Sequence, residues 1–251
     1  MTKKLLIIFL SLGIISINPN SFLISFNEKF KTNLDISNFS LLPYAKAENG
    51  SFYFNLANKS LGKRDYKKAI EYGEKALNYY INNKIINKEY FLIHTTIGVA
   101  KLESGDNVGA IEILSRGIGI SKDTYGFNLR GRAKLAIKDF EGAINDFTEA
   151  INYSAKDDKK NLLDLYPRRA WAYLLNGDFE KSIADYSNAI SITPQTNYYL
   201  LRGFSRYQLG DYKGNCEDIL NAEKIKNEYA YTEKLNIDFR KLKEDGKCAL
   251  Y

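Results

Sequence analysis

Small residues that return at fixed offsets five times are the feature of this sequence that most constrains its fold. In every copy a first small position is followed twelve residues later by a second, and seven residues after that by a third. The first positions are Ala57, Gly98, Gly131, Ala170 and Gly203; the second are Ala69, Ala110, Ala143, Ser182 and Asn215; the third are Ala76, Gly117, Ala150, Ala189 and Ala222. Asn215 is polar and lies in the last copy, where units of an array are commonly atypical. Five copies in one register indicate an array of related units.

An aspartate marks the middle of every copy, four residues before the second small position. These aspartates are Asp65, Asp106, Asp139, Asp178 and Asp211, and the residues that follow them are Tyr66, Asn107, Phe140, Phe179 and Tyr212. Apolar residues at helical spacing flank this point, so the aspartate is expected to begin a second helix as its N-cap. Each copy therefore predicts a helix, a short turn and a capped helix, with small residues where the two helices approach.

This pattern resembles the tetratricopeptide repeat, which has small residues at fixed offsets and a period of about 34 residues. The resemblance implies an all-α fold, an α-solenoid of about five helix-turn-helix hairpins, with copies at about 50–83, 91–124, 124–157, 163–195 and 196–229. Apolar residues at helical spacing within 230–251 predict a C-terminal capping helix. The second small positions are 41, 33, 39 and 33 residues apart, so additions near "NNKIINKEY" and "SAKDDKKN" should lengthen second helices or the loops after them.

An arginine and an aspartate sixteen residues apart recur in the last three copies. The pairs are Arg130 with Asp146, Arg169 with Asp185, and Arg202 with Asp218, whereas the same places hold Leu56 with Tyr72 and Ile97 with Ile113 in the first two copies. Because the two places are charged together or apolar together, we expect them to touch within one hairpin and to form structural ion pairs in the later copies. The alternative is a row of arginines that binds an acidic ligand.

Residues 1–47 differ from the repeats. Lys3 and Lys4 precede the apolar run "LLIIFLSLGIISI", which is typical of a secretory signal or a short membrane anchor. Ala45-Lys46-Ala47 has the small-x-small pattern of a cleavage site but lies farther from the run than such sites usually do. An earlier cut, an uncleaved anchor with a polar linker at about 27–40, and a buried core helix are the alternatives. The sequence favours export, with the repeats periplasmic, lumenal or tethered outside the cytoplasm.

Charge and composition disfavour several classes of function. The formal charge is +6, but the residues after Ala47 carry 31 basic and 28 acidic side chains, and no basic run with interleaved aromatic residues is present, so nucleic-acid binding is not indicated. The single histidine, His94, cannot form a His-based triad or a multi-His metal site, and we expect it to be packed or at the surface. The sequence has neither a phosphate-binding glycine loop nor an HExxH motif. We predict a non-catalytic protein without metal or cofactor.

Cys216 and Cys248 are the two cysteines of the chain. In an exported protein an even number of cysteines favours a disulfide. The resemblance points the same way, since a cysteine in the final hairpin and another near the chain end are familiar in exported bacterial proteins of this repeat type. The alternative is one buried and one exposed free thiol.

The first helices of such an array line one surface, and we expect a partner protein there. Aromatic and arginine side chains in a groove suit an extended peptide or a partner helix. The candidate lining residues are Phe54, Asn58, Thr95, Val99, Asn128, Arg132, Trp171, Leu174, Leu200, Phe204 and Tyr207. Trp171 and Phe204 have a second explanation, which is packing against neighbouring units. The predicted function is a protein-interaction scaffold or assembly factor for an envelope or membrane complex; the alternative is a structural spacer or stabilising subunit of such a complex.

Overall fold

A computed structural model describes residues 42–155 and 158–225, together with Lys241, Glu244 and Cys248. By its internal contacts the chain divides into Met1–Ala47 and Glu48–Tyr251, and the repeats lie in the second unit. The predicted signal or anchor, its linker and most of the predicted capping helix at 230–251 fall outside the described residues.

Ten α-helices and no strand are found in the described part of the chain. The helices are α1 (Leu42–Gly62), α2 (Tyr66–Asn82), α3 (Lys88–Glu103), α4 (Asn107–Ile120), α5 (Thr124–Ala136), α6 (Phe140–Tyr153), α7 (Lys159–Asn176), α8 (Phe179–Ile192), α9 (Thr196–Gln208) and α10 (Tyr212–Ile225). From copy 2 to copy 5, each first helix packs on the second helix of its own copy, and each second helix packs on the next first helix. The fold is all-α, as predicted.

The turn inside every copy has the same backbone conformation. The residue before the capping aspartate has a positive φ in all five turns: Arg64 (59°), Gly105 (88°), Lys138 (65°), Gly177 (85°) and Gly210 (79°). Glycine adopts this left-handed conformation without steric cost, whereas a residue with a Cβ atom pays about 1–2 kcal/mol. The conformation is therefore a requirement of the turn, which Arg64 and Lys138 meet under strain.

The five aspartates begin the second helices, as the sequence predicted. Four of them, Asp65, Asp106, Asp139 and Asp211, each accept a hydrogen bond from the backbone N–H three residues later, at 2.9–3.2 Å. Asp178 occupies the N-cap of α8 without such a side-chain bond, and its carboxylate accepts a hydrogen bond from Asn176 instead. Aspartate at this place satisfies a free N–H of the first turn and favours the positive end of the helix dipole.

The small positions are where the helices of a hairpin approach closely. A Cβ atom on Gly98 would stand 2.5 Å from Leu114, and one on Gly131 would stand 2.8 Å from Phe147. Both distances are shorter than packed carbon atoms allow, so these helices come closer than alanine would permit. Buried side chains form successive clusters along the array; the first three contain residues of neighbouring hairpins, and the last lies within copy 5. Each hairpin thus depends on its neighbours for a core.

The two additions in the sequence both lengthen the first helix that follows them. The first also lengthens the second helix of copy 1: α2 has 17 residues where α4, α6, α8 and α10 have 14, and α3 has 16 where α5 and α9 have 13. For the second addition the expectation was largely wrong: α6 keeps 14 residues, and α7 has 18 where α5 and α9 have 13. The reason is Asp158, whose carboxylate caps the N–H of Asn161 and begins the first helix of copy 4 early.

Candidate functional site

The three arginine–aspartate pairs form what we call the charged seam: Arg130–Asp146, Arg169–Asp185 and Arg202–Asp218. In each pair, Nε and Nη2 of the arginine donate to the two carboxylate oxygens of the aspartate, at 2.6–3.0 Å. The arginine lies on the first helix of a copy and the aspartate on the second, so the sixteen-residue spacing spans one hairpin. Two parallel bonds fix the orientation of both planar groups and are stronger than a single contact.

A third residue completes each pair, and it comes from the preceding copy. Nη1 donates to a hydroxyl oxygen in every case: Arg130 to Ser115 at 3.1 Å, Arg169 to Thr148 at 3.1 Å, and Arg202 to Ser187 at 2.9 Å. Each hydroxyl lies on the second helix of the copy before, so each arginine joins three helices of two hairpins. Sequence reasoning missed these hydroxyl residues, although the sequence does signal them. A serine or threonine precedes each copy that has the arginine, whereas the equivalent residue of copy 1 is Glu74 and copy 2 has Ile97 in place of the arginine.

The charged seam is buried. The side chains of Asp146, Asp185 and Asp218 are 4%, 5% and 1% exposed, and those of the paired arginines are 13–19% exposed. All three nitrogens of each guanidinium group donate to partners inside the chain. This geometry favours the structural explanation of the pairs over a row of arginines that waits for an acidic ligand.

A second cation or an aromatic ring supports each pair from one helical turn later. Lys134 Nζ lies 2.9 Å from Asp146, and Arg206 Nη1 lies 3.0 Å from Asp218. In copy 4 this place holds Tyr173, whose ring centroid is 5.8 Å from the Arg169 guanidinium. Burial raises the pKa of Asp218, against the opposing effect of its arginines. Burial also lowers the pKa of Arg169, but the hydrogen bonds and charge of Asp185 outweigh this, so that the pKa is raised.

The first-helix face, by which we mean the accessible side chains of α3, α5 and α7, carries a second polar network. Arg132 on α5 contacts Glu103 on α3 at 3.0 Å, and Asn128 Nδ2 on α5 donates to Asp164 on α7 at 2.8 Å. Asp164 also accepts from Arg168 at 2.7 Å. Helix α3 contacts α5, and α5 contacts α7, so the network joins copies 2, 3 and 4.

Exposure separates this network from the charged seam. The side chains of Arg132 and Glu103 are 32% and 42% exposed, and those of Arg168 and Asp164 are 35% and 45% exposed. Burial raises the pKa of Asp164, but hydrogen bonds from Arg168 and Asn128 outweigh it and hold the pKa below its ordinary value. Asn128 Oδ1 has no hydrogen-bond partner among the described residues. This oxygen is buried, so the groups that the face offers to a partner are its exposed charges.

Three residues that the sequence placed in the groove are buried instead. Thr95, Leu174 and Leu200 are 5%, 6% and 2% exposed. They are on the first helices, as expected, but their side chains are packed inside the array. Leu174 and Leu200 lie in buried clusters there, and the Thr95 hydroxyl donates to the carbonyl oxygen of Leu92. The expectation that they line an open groove was wrong.

The remaining apolar candidates are half-buried. Phe54 and Val99 pack against the cluster of copies 1 to 3, Trp171 packs against the cluster that contains Tyr186, and Phe204 contacts the last two clusters. The ring of Tyr207 lies 5.4 Å from that of Tyr212, centroid to centroid. Asn58 is exposed, and its Oδ1 accepts a hydrogen bond from Thr96 on α3. Packing between units, which was the alternative for Trp171 and Phe204, accounts for most of their surface.

Sequence reasoning missed Glu103, Asp164 and Arg168 as members of the first-helix face. Asp164 and Arg168 are four residues apart, and this spacing on a helix signals an ion pair. Nothing in the spacing signals that Glu103 reaches Arg132, because that contact depends on how one copy is stacked on the next.

Other chemistry is limited in the described part of the chain. Cys216 on α10 is joined to Cys248 by a disulfide, with the two Cα atoms 5.2 Å apart. Within 42–155 and 158–225 we find no helix long and apolar enough to cross a membrane. Those residues also hold no group of three or more His, Cys, Asp or Glu side chains placed to bind a metal ion.

Repeating helical hairpins, closely packed small positions and exposed polar groups on the first helices define an α-solenoid, and known proteins of that class resemble this one. A family profile described as tetratricopeptide repeat matches residues 163–196, which is copy 4. The small glutamine-rich tetratricopeptide repeat-containing protein 2 of Saccharomyces cerevisiae is 34% identical over 97 residues. That match covers 38% of this chain and 25% of the yeast protein, so the chain spans about a quarter of its curated relative.

Solved structures resemble the whole array. The crystal structure of MamA gives a TM-score of 0.63 at 21% identity, over 76% of this chain and 98% of that one. MamA from Desulfovibrio magneticus RS-1, residue 41 to the end, gives 0.61 at 16% identity, over 72% and 98%. YrrB, described as a tetratricopeptide-repeat protein with an unusual peptide-binding site, gives 0.63 at 11% identity, over 79% and 97%. The fold is that of a tetratricopeptide-repeat solenoid, a fold that suggests a protein-interaction scaffold.

Proposed function

We propose that this protein is a non-catalytic scaffold that binds a segment of another protein on the first-helix face, around Asn128, Arg132, Asp164 and Arg168. The observation that carries the proposal is the contrast in exposure between the two polar networks. Exposed ion pairs contribute about 0–1 kcal/mol, whereas removing one member of a buried pair costs about 3–5 kcal/mol. A partner can therefore replace the contacts of Arg132 or Arg168 at small cost, but not those of the charged seam.

The chemistry of this face suits a peptide segment that carries an acidic residue. Arg132 and Arg168 are two guanidinium groups on adjacent first helices, and both can donate bidentate hydrogen bonds to a carboxylate. Asn128 lies between them in the network and donates to Asp164 through Nδ2, which helps to hold that carboxylate in place. The half-buried rings of Trp171 on α7 and Phe204 on α9, the next first helix, pack against the same buried cluster and would provide apolar contact beside this face. YrrB, a structural neighbour, is described as having a peptide-binding site.

The proposed setting is outside the cytoplasm, where the protein would assist assembly of an envelope or membrane complex. Support comes from the apolar run that follows Lys3 and Lys4 and from the Cys216–Cys248 disulfide, since disulfides persist mainly in oxidising compartments. N-terminal sequencing of protein from its native cells would show whether the first 47 residues are kept. Recovery from the cytosolic fraction with both thiols reduced would contradict this setting.

Photo-crosslinking tests the binding face directly. A photoreactive amino acid at position 132 should give a discrete adduct with another protein in the native cells. The same group at Lys67, an exposed residue of α2 away from that face, is the matched control and should give none. A second form with Arg168→Glu should lose the adduct, because it reverses the charge that a carboxylate would contact. Equal adducts from both positions would favour the structural-spacer alternative over a specific face.

A further inference from the structure

A groove lies between the second helices of copies 1 and 2, and it occupies the place that the charged seam fills in later copies. Its volume is about 380 Å³, α2 and α4 form its walls, and Ile97 and Lys101 of α3 also line it. Among its lining residues are Glu74, Ile97 and Ile113. These are the three places that hold the hydroxyl, the arginine and the aspartate between later copies. The groove is thus the first boundary of the same series, without the arginine that fills the others.

The groove is lined by apolar side chains together with two acids, Glu74 and Glu112, and two cations, Lys101 and Arg116. Ile97 and Ile113 replace the charged pair, and Leu77 and Ile81 continue the apolar wall along α2. Ile81 is 51% exposed, so this end of the apolar wall is open to solvent. A volume near the lower end of the roughly 300–1,000 Å³ range of ligand sites holds one or two side chains and not a whole helix.

Glu74 is the one acid of the groove wall without an internal cation. The other charges there are already paired: Arg116 contacts Glu112 at 2.6 Å, and Lys101 contacts Asp106 at 2.7 Å. Among the described residues Glu74 has neither an ion pair nor a side-chain hydrogen bond. Its carboxylate stands where Ser115, Thr148 and Ser187 accept a bond from an arginine of their own chain.

We propose that this groove binds an arginine side chain, flanked by an aliphatic residue, from a segment of a partner protein. The arginine stem lies on Ile113 and Leu77, its guanidinium group donates two hydrogen bonds to Glu74, and the aliphatic neighbour contacts Ile81. The partner thereby supplies the group that the chain supplies for itself at the three later boundaries. Arginine suits this place because its stem is apolar and its planar head matches a carboxylate. The site shares no residue with the network of Asn128, Arg132, Asp164 and Arg168.

The probe that tests this site is a fluorescein-labelled peptide, Gly-Leu-Arg-Leu-Gly, with its citrulline counterpart as the neutral control of the same shape. Fluorescence anisotropy with the full chain should show saturable binding of the arginine peptide and at least fivefold weaker binding of the citrulline peptide, since hydrogen bonds between charged groups are about twice as strong as neutral ones. Glu74→Gln should weaken the arginine peptide to the same extent. Glu71→Gln, which removes a carboxylate from the same helix outside the groove, should leave its affinity unchanged.

A triple variant fills the groove with the residue types that the chain has at the later boundaries. Ile97→Arg, Ile113→Asp and Glu74→Ser convert the first boundary into the later type, so the variant should fold as stably as the wild type and lose the peptide. Equal binding of both peptides, wild-type binding by Glu74→Gln or by the triple variant, or no binding at 1 mM peptide would each overturn the proposal. Loss of binding in Arg132→Glu but not in Glu74→Gln would place the peptide on the first-helix face and would also overturn it.

Discussion

The boundary between copies 1 and 2 and the three boundaries that follow it join equivalent helices by different chemistry. At the first, Ile97 and Ile113 meet beside an open groove. At the others, an arginine of one copy binds an aspartate of its own hairpin and a hydroxyl of the copy before. The comparison teaches that equivalent helices of an array can meet through apolar residues at one boundary and through a buried ion pair at the next. The small positions, where the two helices of a hairpin approach, recur in all five copies.

The apolar boundary and the charged seam should differ in how much stability a single substitution removes. An apolar boundary loses stability in proportion to the volume that is removed, and Ile→Val typically costs about 0.5–1.5 kcal/mol. A buried ion pair depends on both members, because the loss of one leaves an unpaired charge. The later copies should therefore respond to single substitutions much more steeply than the first two.

The largest expected effect comes from reversing one charge of the seam. Arg169→Asp would set a carboxylate against Asp185, which is 5% exposed, and should lower the free energy of unfolding by about 3–5 kcal/mol. Adding Asp185→Arg should restore much of the loss. Urea denaturation of the full chain measures both variants, with Ile97→Val in the apolar boundary as the mild control. A double variant as unstable as the sum of the single ones would contradict the pairing.

Breaking the disulfide should destabilise copy 5 and leave the stability of copies 1 and 2 nearly unchanged. Cys248→Ser opens a loop with a sequence separation of 32 residues, and the chain-entropy estimate for a loop of that length is about 3–4 kcal/mol. Hydrogen exchange should show faster opening of α9 and α10 with little change in α3 and α4. Reductant should have no further effect on this variant. Uniform acceleration along the whole array would show that its two ends unfold as one unit.

Removing a seam hydroxyl should have a smaller effect. Thr148→Val keeps the shape of the side chain but removes the oxygen that accepts a bond from Arg169 at 3.1 Å. The expected loss is about 1–3 kcal/mol, since a buried charged donor is left with one bond fewer. Ser191→Ala, on α8 and bonded only within its own helix, is the control and should be near neutral. Thermal unfolding midpoints compare the two, and equal shifts would argue against a role for the hydroxyl.

The smallest expected effect is a dependence of stability on pH that arises from copy 2. His94 in copy 2 is buried, and this burial lowers its pKa from the ordinary 6.5. The unfolded chain then binds a proton more readily than the folded one, so stability should fall as the pH drops below about 6.5. His94→Gln should remove this dependence between pH 5 and about 7. A response of equal size in that variant would assign the dependence to other groups.

Much of the array could be predicted from the sequence, because helices and hairpins are defined by spacing along one chain. Twelve- and seven-residue offsets located the small positions, an aspartate located each second helix, and a sixteen-residue offset located Arg130 opposite Asp146. Each of these relations lies within one hairpin, where a fixed turn and the helical rise determine which residues meet.

Contacts between copies could be decided only by the tertiary structure. The bond from Arg130 to Ser115, the contact of Arg132 with Glu103 and the burial of Leu174 all depend on the rotation of one hairpin against the next. That rotation results from the packing of many side chains at once, and no single spacing encodes it. The groove is a further example. The sequence shows that Ile97 and Ile113 are apolar, but only the stacking of the hairpins shows that they line a groove together with Glu74.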